Sequence, residues 1–214
     1  VKRNKLTSEK NEKVREKIIE RFVPLPIDNK IVLIGAPFKR NGSTFVAHLL
    51  SKEIANLDIN VTYIENPFDC RAYTYDRFDG NRKLNNYRSI FFSHIRHDKS
   101  SHFTNEWEEN NVNIIAKHPD EEIYHEEEIT FEVFIKILLK IPSPVTIIDV
   151  GSDWDKKVVQ ELFEIASHAF MVIEPDISDA HYLEDPANNE TAYYRYLVEH
   201  EKTQIIGNRM DQSL

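Results

Sequence analysis

The chain has 214 residues, a mass of 25.2 kDa and a formal net charge of −9, room for one α/β domain with an extra arm and a balance that argues against a broad electrostatic grip on DNA or RNA, a local basic patch aside. Hydrophobic residues make up 41% and aromatic residues 11% of it, ample for a core, yet no apolar run approaches the ~20 residues needed to span a bilayer and no signal peptide is visible. The single cysteine, Cys70, excludes an internal disulfide and reads as a half-buried structural thiol suited to a reducing cytoplasm.

Residues 1–27 read as a charged helical arm: Val14, Ile18 and Phe22 recur at i, i+4 and i+8 with Ile19 beside them, until Pro24 and Pro26 end the pattern. A capping arm, an interdomain connector or a partner-binding helix all fit. Residues 28–214 read as the domain itself. The chain opens on Val1 and stops soon after an apolar strand, so we expect a piece of a longer protein.

Strands are expected at Lys30–Ile34, Val61–Glu65, Asn113–Lys117, Val145–Val150, Ala169–Glu174 and Thr203–Gly207, most of them apolar on both faces. Helices are expected at Ser43–Asn56, Phe131–Lys140, Asp155–Ser167 and near Glu190–His200. Continuous apolar strands separated by amphipathic helices predict a three-layer α/β domain with a mainly parallel sheet covered on both sides, its ligands beyond the carboxyl ends of the strands. In the helix from Asp155, Val158, Leu162 and Ile165 form one line, with Val159, Phe163 and Ala166 beside it; Ser152 and Asp153 are its expected caps. Residues 68–128 carry Tyr73, Tyr75, Tyr87, Phe91, Phe92, Phe103 and Trp107 without a clear period, the mark of a functional insertion or an extended surface. Within them Arg88–Ile95 is a further strand candidate.

Chemistry is written most clearly after the first strand. The run from Ile31 to Leu50 has the layout of a phosphate-binding loop: a buried strand, a loop, then a helix opening on Ser43 and Thr44. In such loops backbone N–H groups and the helix N-terminus surround a phosphate, a lysine neutralises charge, and a Ser or Thr hydroxyl holds Mg²⁺. Here most loop glycines are missing, because Phe38, Lys39, Arg40 and Asn41 lie between Ala36 and Gly42. The plainer alternative is a strand-to-helix turn with Ser43 as N-cap. A second element, Val145 to Gly151, is an apolar strand ending in Asp149 and then a glycine, which suits a Walker B carboxylate acting on Mg²⁺ through water.

Gly35 to Thr44, Ile147 to Gly151, Ala169 to Asp176 and Ile205 to Arg209 together resemble the successive landmarks of ParA/MinD-type P-loop ATPases, with a degenerate Walker A loop closest to the CpaE/TadZ branch. The resemblance covers about residues 30–209 and rests on order and spacing. It implies Ser43 as the Mg²⁺ hydroxyl with Thr44 beside it at the phosphate, Gly42 in place of the P-loop lysine, and Pro37 in place of the second lysine that reaches across a dimer. It implies Asp149 as the Walker B acid and Asn208 as the reader of adenine. The aspartates that usually follow the second strand are matched by Ile64 and Asn66; Asn66 is a weak candidate for polarising water, and Glu65 points to the other face.

The resemblance therefore implies binding of ATP or ADP with Mg²⁺ at residues 39–44, Asn208 and Asp149. With both lysines and the catalytic aspartate gone, each worth a few kcal/mol, hydrolysis is expected to be weak or absent. Lys39 and Arg40 are the candidate replacements for the lost charge, or else solvated loop cations. The resemblance also implies a cytoplasmic homodimer that localises or assembles partner proteins, such as a pilus, secretion or partition system, at a cell pole or the membrane periphery. An ATP-hydrolysing or small-molecule kinase or ligase enzyme of this fold, and a nucleotide-free scaffold, remain as alternatives.

Other residues read as structural. His94, His97 and His102 have the wrong strand spacing for a metal site. Glu126, Glu127 and Glu128 read as charge favouring a helix N-terminus, Asp153 and Asp155 as caps, and Glu174 and Asp176 as the end of a strand near the pocket.

Overall fold

A computed structural model describes residues 29–69, 72–77, 87, 107–121, 124–185 and 191–209. The N-terminal arm, Cys70, the segment 88–95 and His94, His97 and His102 lie outside the described residues. The elements in chain order are β1 (Lys30–Gly35), α1 (Ser43–Ala55), β2 (Val61–Ile64), α2 (Tyr73–Arg77), β3 (Glu108–Glu109), β4 (Val112–Ile115), α3 (Phe131–Leu138), β5 (Val145–Gly151), α4 (Lys157–Ile165), β6 (His168–Ile173), α5 (Ile177–Glu184), α6 (Ala192–Glu199) and β7 (Thr203–Gly207).

The strands form one sheet in the order β3-β4-β2-β5-β1-β6-β7. Every pairing is parallel except that of β3 with β4. The two-residue alternation of a strand divides the core. Ile31 and Leu33 face the layer containing Phe134, Leu138, Leu162 and Trp154, whereas Val32 and Ile34 face that containing Ala47, Val61 and Tyr63. This is the three-layer, mainly parallel architecture that the apolar strands predict.

The helix boundaries contract by a residue or two for local reasons. In α4, Val158, Val159, Leu162 and Phe163 are buried as expected, but Ile165 is half exposed. Neither Ser152 nor Asp153 caps it. Its N-cap is Lys156, which makes no side-chain cap bond, and the Lys157 amide donates to Glu126 Oε1 at 2.9 Å. Glu126 thus serves α4, while α3 is capped by Thr130, whose hydroxyl accepts from the Val133 amide at 3.4 Å. The residues of 68–128 that are described extend the core: Tyr75, Tyr87 and Trp107 are buried against one another, and the Tyr87 hydroxyl donates to the Ala116 carbonyl at 2.8 Å.

Among the described residues no helix is long and apolar enough to cross a membrane, and no group of three or more His, Cys, Asp or Glu is placed to hold a metal ion.

Candidate functional site

The site lies at the carboxyl edge of the sheet, where the chain leaves β1 on one side of β5 and returns on the other. The β1–α1–β2 crossover runs toward β2, and β5–α4–β6 crosses back over β1, so the two connections part there and leave a crevice at the strand tips. The β1–β5 register shifts at the tip, so Gly35 faces Gly151 and the Ala36 amide donates to the Gly151 carbonyl at 2.7 Å. A Cβ at Gly35 would lie 2.6 Å from Val150 Cγ2 and 2.7 Å from Trp154 Nε1, so glycine permits this close approach.

The loop then curls through two left-handed residues, Arg40 at φ 76° and Gly42 at φ 90°. A non-glycine residue in this region is uncommon and costs about 1 kcal/mol or more, which the surroundings must offset. Asn41 between them is buried, and its carbonyl accepts from Asn208 Nδ2 at 2.8 Å. Gly42 is the N-cap of α1 and provides no side-chain cap, so the first-turn amides of α1 are free of that competition. A Cβ at Gly42 would run into the Asn208 amide nitrogen in addition to facing the unfavourable φ. Gly42→Ala should therefore displace Asn208 and destabilise the protein by about 1–3 kcal/mol. Urea unfolding measures this, and a loss below a few tenths of a kcal/mol would show that the loop relaxes freely.

Asp149 sits at the β5 tip, 1% exposed. Its Oδ2 accepts the Thr44 hydroxyl at 2.5 Å and lies 3.5 Å from the Tyr63 hydroxyl, while Oδ1 accepts the Gly151 amide at 2.9 Å. Burial pushes this carboxyl up to about 6, against the pull of the Thr44 and Gly151 hydrogen bonds. The hydroxyl that reaches Asp149 is that of Thr44, not of Ser43. The reason is the helix start: with Gly42 as N-cap, Ser43 is the first helical residue, and the ~100° turn per residue aims the next side chain across at β5.

Asn66 is near the site with its groups already engaged. Its Nδ2 donates to the Val150 carbonyl at 3.2 Å and to Asp153 Oδ2 at 2.6 Å, and its Oδ1 accepts from the Phe68 amide at 3.0 Å. It bridges the β2 tip to the turn after β5, and Asp153 serves as its acceptor. Lys39 is exposed, yet its charge is felt at Asp153, where it and Lys156 oppose the upward shift that burial causes. Phe38 packs edge-on to Tyr182 of α5, with ring centroids 5.7 Å apart. Asn208 is held on the loop through Asn41, and its neighbour Arg209 pairs with Glu174 at 3.1 Å.

Behind Asp149 lies a buried polar group that sequence reading missed. Tyr63, His48, Thr74 and Glu65 are all less than 9% exposed. The two oxygens of Glu65 accept the amides of Thr74 at 2.7 Å and Lys117 at 2.9 Å. The available signal was a set of polar residues on positions otherwise reserved for apolar ones: Tyr63 on β2, Glu65 just past its end and His48 on the inner face of α1.

No protein-family model matches the chain, and no curated protein sequence does. Solved structures do. A plasmid partition protein of Borrelia burgdorferi bound to AMPPNP is similar with a TM-score of 0.61 at 14% identity, over 87% of this chain and 76% of that one. The MinD cell division protein of Aquifex aeolicus is similar with a TM-score of 0.59 at 13% identity, over 85% and 70%. The kinase domain of the Escherichia coli tyrosine kinase ETK follows with 0.57 at 14% identity, over 92% and 76%. The fold is that of the ParA/MinD-type P-loop ATPases.

Proposed function

We propose that the chain is a ParA/MinD-like nucleotide-binding protein with little or no hydrolysis, which acts by dimerising and recruiting protein partners. The observation that carries the reading is the Thr44–Asp149 pair: a hydroxyl in the first turn of the helix after β1, bonded at 2.5 Å to a carboxylate at the β5 tip. That is the donor set of a hard divalent cation, a hydroxyl beside a carboxylate that is 1% exposed. Mg²⁺ therefore fits. Thr44 and Asp149 would hold it, directly or through water, and the ion would neutralise phosphate charge.

In this register Gly42 takes the place of the last loop glycine, so Ser43 occupies the lysine position and Phe38 that of the second lysine. Both differ by one residue from the assignment that the sequence alone suggests. The consequence for charge is the same, because no lysine stands at either place. Residues 39–44 contribute loop amides and the helix start, with Lys39 and Arg40 as the nearby cations and Asn208 on the base side. Asn66 has both amide hydrogens engaged and Glu65 is clamped by two backbone amides, so neither is placed to orient an attacking water. Loss of one charge-stabilising donor typically costs about 10²–10³-fold in rate.

The neighbours support the wider reading: one carries AMPPNP, and MinD of Aquifex aeolicus is also known in complex with MinC. The sequence resemblance extends the proposal to a homodimer that localises or assembles other proteins at a partition, pilus or secretion machinery of the CpaE/TadZ kind. Calorimetry with Mg·ATP and Mg·ADP should give binding heat, and steady-state assays should give turnover near background. No heat and no thermal shift at millimolar nucleotide would leave a scaffold. Turnover that disappears in Asp149→Ala would make it an enzyme. Nucleotide should also shift light scattering toward a dimer, and a mass that stays monomeric at all concentrations would remove that part of the reading.

A further inference from the structure

The chain enters β1 at the amino edge of the sheet, the edge opposite the loop. Lys30 pairs with Val145, Val61 pairs with that same residue, and the Ser167 amide donates to the Ile31 carbonyl at 2.8 Å. The starts of β2, β5 and β6 therefore flank the start of β1, each one or two strand spacings of ~4.8 Å away. The turns and helix ends that lead into them hold large exposed apolar side chains. Leu57 and Ile59, between α1 and β2, are 71% and 36% exposed; Leu139, the C-cap of α3, is 56% exposed; Ile165, the last residue of α4, is 39% exposed. One such side chain is ordinary, but several around one chain entry mark a surface that takes a cover.

The same edge calls for positive charge and hydrogen-bond donors. Parallel crossovers bring the carboxyl ends of α1, α3, α4 and α6 here, each just before a strand begins, and with them the negative ends of the helix dipoles. Lys202 meets the carbonyls of Phe163 and Glu164 at the end of α4, and Lys52 and Lys136 lie in the last turns of α1 and α3, whereas α6 has no basic residue in its last turn. Asn29, just before β1, donates from Nδ2 to Thr146 Oγ1 at 3.4 Å, while its buried Oδ1 has no donor among the described residues. What precedes Asn29 in the sequence matches these needs. Residues 1–27 hold eight Lys or Arg and four Asp or Glu, against 19 and 32 in the rest of the chain. Their apolar residues gather toward the entry point, as Val14, Ile18 and Phe22 and then Val23, Leu25 and Ile27. From Phe22 to Asn29 the chain spans at most ~25 Å, well beyond the ~10 Å that separates β1 from β2.

We propose that residues 14–27 fold back in cis onto the amino edge of their own domain, seating their apolar side chains on Leu57, Ile59, Leu139 and Ile165. The arm is then a cover of the sheet and not a connector or a partner-binding helix. A basic segment so placed meets an acidic domain at its helix carboxyl ends, and its N–H groups supply the donor for Asn29. The docking surface lies at the far edge of the sheet and does not depend on what the loop binds.

The test is a double-mutant cycle in the nucleotide-free full chain, read by thermal unfolding and by hydrogen–deuterium exchange. Ile18→Ser with Phe22→Ser removes the arm's side of the contact, and Leu57→Ser with Leu139→Ser removes the rim's side. Each pair should lower Tm by about 4–8 °C, and all four substitutions together by no more than ~2 °C beyond either pair. The rim pair should also speed exchange of amides 14–22 while those of β1 and β5 stay protected. Additive shifts, or shifts under ~1 °C, overturn the docking, as does exchange of amides 14–22 in the parent at the rate of an unfolded chain. If the rim pair does not fold, the arm pair still decides: it should speed exchange at 56–60 and 139–144, and unchanged exchange there overturns the docking. Recovery of protection in an equimolar mixture of arm and rim variants would place the arm on a second copy and overturn docking in cis.

Discussion

Asp149→Asn should leave the free protein at least as stable above neutral pH while removing the magnesium-dependent part of its nucleotide affinity. The carboxyl is 1% exposed and held up to about 6 by burial, so its charge at higher pH is carried at a cost of about 1–3 kcal/mol. Asparagine keeps an oxygen for the Gly151 amide and turns its amide toward the Thr44 and Tyr63 hydroxyls, both of which can accept. What it loses is the negative oxygen that a hard cation needs. Urea unfolding above neutral pH should show an unchanged or raised midpoint, and calorimetry with and without Mg²⁺ should show at least a tenfold magnesium effect in the parent and none in the variant. Destabilisation by several kcal/mol with the magnesium effect intact would make Asp149 a structural residue.

Glu65→Gln should alter how stability depends on pH. Burial pushes the Glu65 carboxyl from its ordinary 4.5 up to about 7, against the pull of the Thr74 and Lys117 amides. Between those values the native chain holds a proton that the unfolded chain has released, so the contribution of Glu65 is full below about pH 4.5 and falls until about pH 7, by about 3 kcal/mol in all. His48 acts in the opposite sense: lowered to about 4, it adds stability as pH rises toward 6.5. The two slopes partly cancel in the parent, and the difference between variant and parent isolates Glu65. The glutamine side chain would also leave one of the two amides without an acceptor, a pH-independent loss of about 1–3 kcal/mol. Urea unfolding at a series of pH values should therefore show the variant gaining on the parent as pH rises from 4.5 to 7. A gap that stays constant across that range would mean that Glu65 is ionised in the fold throughout.

Much of the fold was legible because it depends on period and order. Ile31 to Ile34 and Val145 to Val150 are apolar at nearly every position, which only strands covered on both faces require, and the helices between them forced parallel crossovers. The misses are where partners come from afar. Glu126 reaches an amide of α4, 31 positions away, so no capping pattern around Asp153 could reveal it. Strand β3 is two residues long and α5 lies in a polar segment, too little periodicity for either to be read.

The site divides in the same way. The strand, loop, hydroxyls and carboxylate are local features, so Ser43, Thr44, Asp149, Asn208 and the loop could be named as candidates from their order along the chain. Which of two adjacent hydroxyls meets the carboxylate was not, because the choice turns on the helix beginning at Ser43 and on ~100° of rotation per residue. Asn66 looked available as a string of letters, but its acceptors, Val150 and Asp153, belong to another strand and the turn after it.

By itself, then, the sequence determined a mainly parallel sheet, since hydrophobic period and residue type are properties of the chain, and offered the run from Ile31 to Leu50 as a candidate phosphate loop. Tertiary structure alone decided that Thr44 faces Asp149, that Asn208 donates to the Asn41 carbonyl in the loop, and that Tyr63, Thr74, His48 and Glu65 meet behind the site. Hydrogen bonds between residues up to 167 positions apart exist only once the sheet has brought the strand tips together.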